Sequence, residues 1–135
     1  MPYVLTVAGG KASSKSFHLD DVAARLRKGI PKHEPRLAKR PLATQSGVTE
    51  VLLVVRGHEN PHTHPQRDLI FSVLEGGGYV QLSRKRIEAP AGTTVVIPKG
   101  VCHAYHNTSP GDSVLLATFS PAVPDPSIPD PGECT

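Results

Sequence analysis

Fourteen prolines and twelve glycines are spread along the 135 residues of this chain, so few stretches are long enough to form a helix. The exception is residues 19–28, where apolar residues recur at helical spacing and acidic residues open the segment. Gly29 and Pro31 then end it. The sequence therefore predicts one short helix near the amino terminus and short extended segments elsewhere.

The chain after about Thr44 is a series of short β-branched or apolar runs, separated by turn residues at fairly even spacing. The predicted strands are residues 48–55, 69–74, 78–82, 93–97, 102–107 and 114–119. This pattern predicts an all-β barrel or sandwich. We expect residues 1–43 to form an N-terminal arm with a strand and the short helix, 44–120 the barrel, and 121–135 a proline-rich tail, extended on the surface or disordered.

Charge and hydropathy exclude several classes of protein. The longest apolar run, residues 51–55, has about a quarter of the residues that a bilayer span needs, so no membrane association is expected. The first residues lack the basic and apolar regions of a secretory signal, which favours a cytoplasmic protein. Two cysteines, Cys102 and Cys134, are too few for a disulfide scaffold.

Basic residues are concentrated in the first part of the chain. Residues 1–56 have a net charge of +6 and residues 57–135 a net charge of −3. The run from Arg25 to Arg40 could contact nucleic acid, but it has no interleaved aromatic residues and no recognisable reading helix. We therefore interpret it as a solvated face and do not expect nucleic-acid binding.

Two histidines separated by one residue, His62 and His64, lie in a polar loop before the predicted strand 69–74. Because alternate residues of an extended chain project to the same side, both side chains can reach one metal ion. Such a pair alone is weak evidence, since histidines in polar, proline-flanked loops are usually just solvated.

A second segment, residues 92–107, supplies the context. It matches the pattern G-x5-P-x-G-x2-H-x3-N at all five fixed positions, which are Gly92, Pro98, Gly100, His103 and Asn107. This is the second motif of the cupin superfamily, which the chain therefore resembles. The resemblance extends over most of residues 44–120.

The first cupin motif, G-x5-HxH-x3-4-E-x6-G, is matched less completely. His62, His64 and Gly76 fit, but Gly57 is one residue too near and the motif's glutamate is absent. Asp68 fits the shorter spacing for a carboxylate. Two alternatives follow from the resemblance: a site of three histidines and Asp68, or a three-histidine site like those of the thiol and diketone dioxygenases. We lean towards ligation by Asp68, because Pro65 permits an irregular connection.

The resemblance implies a cupin-type double-stranded β-helix, or jelly-roll, barrel that binds one divalent transition metal ion per chain. The ion would be Fe, Mn, Ni, Cu, Co or Zn, which the residues do not decide. The implied function is a metal-dependent enzyme for a small, polar, oxygen-rich substrate, either a dioxygenase, hence an oxidoreductase, or an isomerase or decarboxylase. The alternative is a non-catalytic small-molecule-binding or regulatory module.

Other residues near the motifs receive roles from the same resemblance. Gln66 and Tyr105 are the candidates for catalytic contacts beside the metal, although Tyr105 fits equally well as an aromatic residue lining the barrel. Cys102 should face away from His103 as a small core residue. Cupins are commonly homodimers, so we expect a homodimer joined through amino-terminal strands.

Overall fold

The computed structural model describes residues 6–7, 10–11, 14–30, 37–125 and 132–134. Within these ranges the chain forms one helix and twelve strands, numbered in chain order. They are β1 (Thr6–Val7), β2 (Gly10–Lys11), α1 (Leu19–Lys28), β3 (Leu37–Gln45), β4 (Val48–Val55), β5 (His62–Thr63), β6 (Asp68–Glu75), β7 (Gly77–Gln81), β8 (Arg86–Pro90), β9 (Thr94–Ile97), β10 (Ala104–Asn107), β11 (Ser113–Ser120) and β12 (Gly132–Glu133).

Two antiparallel sheets make the body of the fold. One has five strands in the order β3-β4-β11-β6-β9 and the other three in the order β10-β7-β8; β1 pairs with β2, and β12 with β5. The predicted all-β fold with one short helix is confirmed. The six predicted strands are present within two residues of their expected bounds, and the helix occupies 19–28 as predicted.

The core lies between the two sheets. Along β6, the side chains of Leu69, Phe71 and Val73 are buried while Asp68 and Ile70 face outward. Residues from both sheets complete this cluster, among them Val80, Val95, Tyr105 and Leu115. The alternation fixes the strand register, because a shift by one residue would expose the whole apolar set.

Helix α1 covers the outer face of the five-stranded sheet. Val22 and Ala23 of the helix pack with Leu52 and Val54 of β4, which explains why the run 51–55 is apolar on both faces. Arg27 anchors the helix to the barrel through its guanidinium, which donates to both carboxylate oxygens of Asp112 at 3.0 and 3.1 Å and to Glu75 at 3.2 Å. Among the described residues, no helix is both long and apolar enough to cross a membrane.

The five-stranded sheet begins earlier than the barrel segment 44–120 expected from sequence. Strand β3 pairs along β4 from Leu37 to Gln45, so the boundary at residue 44 falls inside a strand. Pro41 is accommodated because β3 is an edge strand, where one amide hydrogen bond can be given up, and the register shifts between Pro41 and Ala43.

The carboxyl-terminal end returns to the barrel. β12 pairs with β5, with Gly132 opposite Thr63 and Glu133 opposite His62. Cys134 forms a disulfide with Cys102, their Cα atoms 6.1 Å apart. The expectation that Cys102 is simply a core residue is therefore wrong. The sequence did not predict this disulfide, because a contact between residues 32 positions apart leaves no local pattern. Residues 126–131 of the expected tail lie outside the described residues.

Candidate metal centre

Three histidines converge where the two motif segments meet. His62 lies in β5, His64 follows it, and His103 immediately precedes β10. One ring nitrogen from each lies within 4.8 Å of those of the other two. The ring centroids of His62 and His103 are 4.3 Å apart and those of His64 and His103 are 5.4 Å apart. This spacing suits three imidazoles that share one transition metal ion.

Backbone hydrogen bonds hold the two segments together. His62 and His103 form an isolated antiparallel bridge, with N–H to carbonyl distances of 3.0 and 2.9 Å. Gly100 N donates to the carbonyl of His64 at 3.0 Å, and Gly100 has φ +80°, a conformation that favours glycine. The motif glycine therefore lets the turn before His103 reach the loop that carries His64.

Neighbouring carbonyl groups set the tautomers of two of the rings. His62 Nδ1 lies 2.8 Å from the Asn60 carbonyl and His103 Nδ1 lies 2.9 Å from the Val101 carbonyl. Since a carbonyl oxygen only accepts, each Nδ1 donates, and the lone pair is left on Nε2. His103 Nε2 is buried, and no described group hydrogen-bonds it. A buried acceptor of this kind fits a metal ion as its partner.

Burial also keeps His103 neutral. Desolvation by burial, opposed by the hydrogen bond with Val101 and aided by the nearby His62, lowers the pKa of His103 to about 4. His103 is only 2% exposed. Because only the neutral imidazole ligates a metal, protons do not compete for this nitrogen at neutral pH.

This pKa predicts how the metal-free protein responds to acid. Below pH 6.5 the unfolded histidine takes up a proton, whereas folded His103 does so only near pH 4, so the free energy of unfolding falls as pH falls through this window. From pH 7 to pH 5 the expected loss is about 2 kcal/mol. Urea unfolding at both values tests this, with His103→Ala as the comparison. An equal loss in that variant would contradict the assignment.

Asp68 does not join the three histidines in this structure. Its side chain is exposed, and Oδ1 accepts a hydrogen bond from Lys99 N at 2.9 Å. Because inward-facing Leu69 comes next, regular alternation directs Asp68 outward. For ligation the carboxylate would have to leave Lys99, so the three-histidine alternative agrees better with the geometry.

The two other candidates, Tyr105 and Gln66, lie in different surroundings. Tyr105 is 1% exposed, belongs to the barrel core and donates its hydroxyl hydrogen to Ser113 Oγ at 2.7 Å. Burial raises the pKa of Tyr105, so the phenol stays protonated. Gln66 is exposed in the turn after His64. The barrel-lining alternative therefore describes Tyr105, and the catalytic role of either residue stays a prediction.

Glu59 is a residue near the site that the sequence analysis missed. Glu59 N donates to the Tyr105 carbonyl at 2.9 Å, and Tyr105 N donates to Glu59 Oε1 at 3.0 Å. Burial raises the pKa of Glu59, while the charge of His62 and the Tyr105 N–H act to lower it. Glu59 therefore places an acidic group beside a candidate ligand. Its position before His62, rather than after His64, kept it outside the motif.

Comparison with known proteins identifies the family. The cupin domain family model matches residues 49–119, which include all three histidines. The chain belongs to the cupin family. Solved structures agree: KdgF from Halomonas sp. has a TM-score of 0.63 and 25% identity, covering 73% of this cupin and 89% of that chain.

Other similar proteins support the same fold. An uncharacterized conserved protein with a double-stranded β-helix domain from Klebsiella pneumoniae has a TM-score of 0.66 at 17% identity, over 81% of this chain and 91% of that one. An uncharacterized protein of Aquifex aeolicus is 41% identical over 75 residues, 56% of this cupin and 61% of its own length. Germin-like protein 1-1 of Oryza sativa is 33% identical over 69 residues, 47% of this chain and 32% of its own. The cupin thus spans about three fifths and one third of these two curated relatives.

Proposed function

We propose that this cupin is a mononuclear metal-dependent enzyme whose ion is held by His62, His64 and His103. The buried, unpartnered Nε2 of His103, beside two further imidazoles, is the observation on which the proposal rests. Burying the Nε2 of His103 costs free energy unless this nitrogen finds a partner. An ion held jointly with His62 and His64 would supply that partner.

The chain's own residues define what such a site can do. Two of the rings are fixed by carbonyl groups, and the ring of Phe119 meets that of His64 edge-on with centroids 5.0 Å apart, so the ligands are preorganised. His62, His64 and His103 would hold a divalent transition metal through three neutral imidazoles, and the ion would supply Lewis-acid or redox chemistry to a substrate. Glu59, with its raised pKa, is suited to hold or accept a proton beside His62.

The donor set favours a small substrate with two oxygen atoms that can bind together, such as a carboxylate or an enediol. A neutral ligand set leaves the full charge of the ion to attract an anionic substrate. We propose two forms of the reaction: dioxygenation, or a metal-assisted isomerisation or decarboxylation.

Metal analysis followed by an activity screen tests this function. The protein should be purified without an affinity tag or a chelating column, and its metal content measured by mass spectrometry. We expect about one transition metal ion per chain. Oxygen uptake with small carboxylates and enediols then separates dioxygenation from the other chemistry. If the protein binds no divalent transition metal, the proposal is contradicted. Tight metal binding without any turnover would favour a non-catalytic binding module.

Asp68 distinguishes the two ligand sets. Because its carboxylate accepts a hydrogen bond from Lys99, we expect Asp68→Ala to leave metal affinity within about threefold of the native protein. Asp68→Asn is the matched variant, since the amide oxygen can still accept from Lys99 N. Affinity is measured by competition with a chromophoric chelator. A loss of tenfold or more in both variants would instead support ligation by Asp68.

A further inference from the structure

Cys134 ties the end of the described chain to the metal centre. It is bonded to Cys102, the residue immediately before His103. The disulfide therefore acts on the backbone that positions one of the three candidate ligands. We call β12 together with Cys134, residues 132–134, the C-terminal clamp.

The C-terminal clamp makes a second attachment, and this one is to His62. Its strand pairs antiparallel with β5, Glu133 opposite His62 and Gly132 opposite Thr63. One short segment is thus joined covalently to the neighbour of His103 and by strand pairing to the segment of His62. These are the same two ligands whose rings are 4.3 Å apart.

Backbone hydrogen bonds on either side of His62 also join these two segments, from Gly100 N to the His64 carbonyl at 3.0 Å and from Glu59 N to the Tyr105 carbonyl at 2.9 Å, but the pairing at His62 itself is short. β5 has only two residues, and its link to His103 is a single isolated bridge with two hydrogen bonds. Short strands with few hydrogen bonds open locally at low cost in free energy. The C-terminal clamp pairs with this weak element, so releasing the clamp should change how firmly His62 is held.

We propose that the Cys102–Cys134 disulfide is a positioning element of the metal centre and makes metal retention depend on redox state. This inference rests on the proposed metal site. Oxidised, the bond holds the C-terminal clamp on β5 and keeps His62 oriented towards His103. A dithiol or two monothiols reduce it: the S–S bond takes up two electrons and two protons to give two cysteine thiols, and the reductant leaves as its own disulfide. The reduced protein then releases its metal faster.

The experiment measures metal release in both redox states. The full chain is oxidised, loaded with Co²⁺ and mixed with excess chelator, with or without prior reduction, and the cobalt absorption bands are followed. We expect reduction to speed release about tenfold or more, to shift the bands, and to be reversed by reoxidation. If the disulfide only stabilised the fold and did not position the metal ligands, its reduction would not shift the cobalt absorption bands reversibly.

Cys134→Ser is the matched variant, since it removes the bond at the end of the described chain without altering residues of the barrel. We expect its release rate to equal that of the reduced native protein and not to respond to reductant. Release that is equally fast in the oxidised and reduced native protein would overturn the inference. Slower release after reduction, as when a freed thiolate binds the ion, would also overturn it, as would two free thiols in the air-oxidised protein by mass spectrometry.

Hydrogen exchange of the metal-free protein separates failure of this inference from failure of the proposed function. Reduction should increase exchange at the amides of His62 to His64 and leave the amides of β6 unchanged. If the oxidised protein binds no Co²⁺, the proposed function fails, and with it the effect on metal retention. Unchanged exchange at His62 to His64, in a protein that does bind the ion, overturns the role of the C-terminal clamp alone.

Discussion

His103→Ala is expected to lower metal affinity by on the order of 100-fold or more while the barrel stays folded. The variant removes one of three candidate ligands and the one whose Nε2 is buried without a hydrogen-bond partner in the described structure. The two remaining histidines, His62 and His64, have ring centroids 5.0 Å apart and would form only a weak two-ligand site. Metal content after dialysis and titration with Zn²⁺ measure the effect, and circular dichroism confirms that the strands remain.

His106→Ala is the matched control for that variant. His106 lies in β10, three residues after His103, but faces outward and stacks on Tyr79 with ring centroids 4.7 Å apart. Its loss removes a histidine from β10 without touching the three converging rings. We expect metal affinity to stay at the native value. Full metal occupancy in His103→Ala, or an equal loss in His106→Ala, would contradict the assignment of ligands.

The fold could be predicted in good part because local patterns determine it. Apolar alternation gave β6 its inward face at Leu69, Phe71 and Val73, and the density of glycine and proline limited the chain to one helix. The long strand β3 was harder to predict from the sequence, because its residues from Leu37 to Gln45 include polar and basic side chains that suit an exposed edge. A strand that pairs on one side only needs little apolar character.

The residues of the candidate site could likewise be predicted from the sequence only in part. The three histidines occupy positions that two motifs specify, and the structure brings them together. Asp68 fits only the shorter spacing that the first motif allows for a carboxylate, and Glu59 lies outside both motifs. Whether a carboxylate faces the site depends on the strand register and on the path of the loops beside the strands, which spacing along the sequence does not determine.

The Cys102–Cys134 bond and β12 show a further limit of sequence reasoning. Their partners are 32 and about 70 residues away along the chain, and each pairing depends on the path of the proline-rich segment between them. Nothing in the spacing of two cysteines distinguishes a bonded pair from two separate thiols. The contact with the most direct consequence for the site is thus the one that only the folded structure displays.

Asn107, the last residue of the second motif, should have the largest effect on stability of any single polar side chain near the site. Its Nδ2 donates to the carbonyl groups of Gly111 at 2.8 Å and Arg56 at 3.1 Å, and its Oδ1 accepts from Ser113 Oγ at 2.7 Å and Ser109 N at 3.1 Å. Asn107→Ala leaves these partly buried groups without their partner. We expect the free energy of unfolding to fall by about 3 kcal/mol and the melting temperature by about 10 °C.

The reason for so large an effect is that the Asn107 amide joins three parts of the barrel. Through Ser113 it reaches the Tyr105 hydroxyl in the core, and through Arg56 it reaches the end of β4. Asn60→Ala is the control, since that side chain is exposed and should cost less than about 0.5 kcal/mol. Urea unfolding of both oxidised variants gives the comparison. A loss below 1 kcal/mol in Asn107→Ala would mean that water replaces the amide, and that the motif asparagine is not what holds β10, β11 and the loop between them in place.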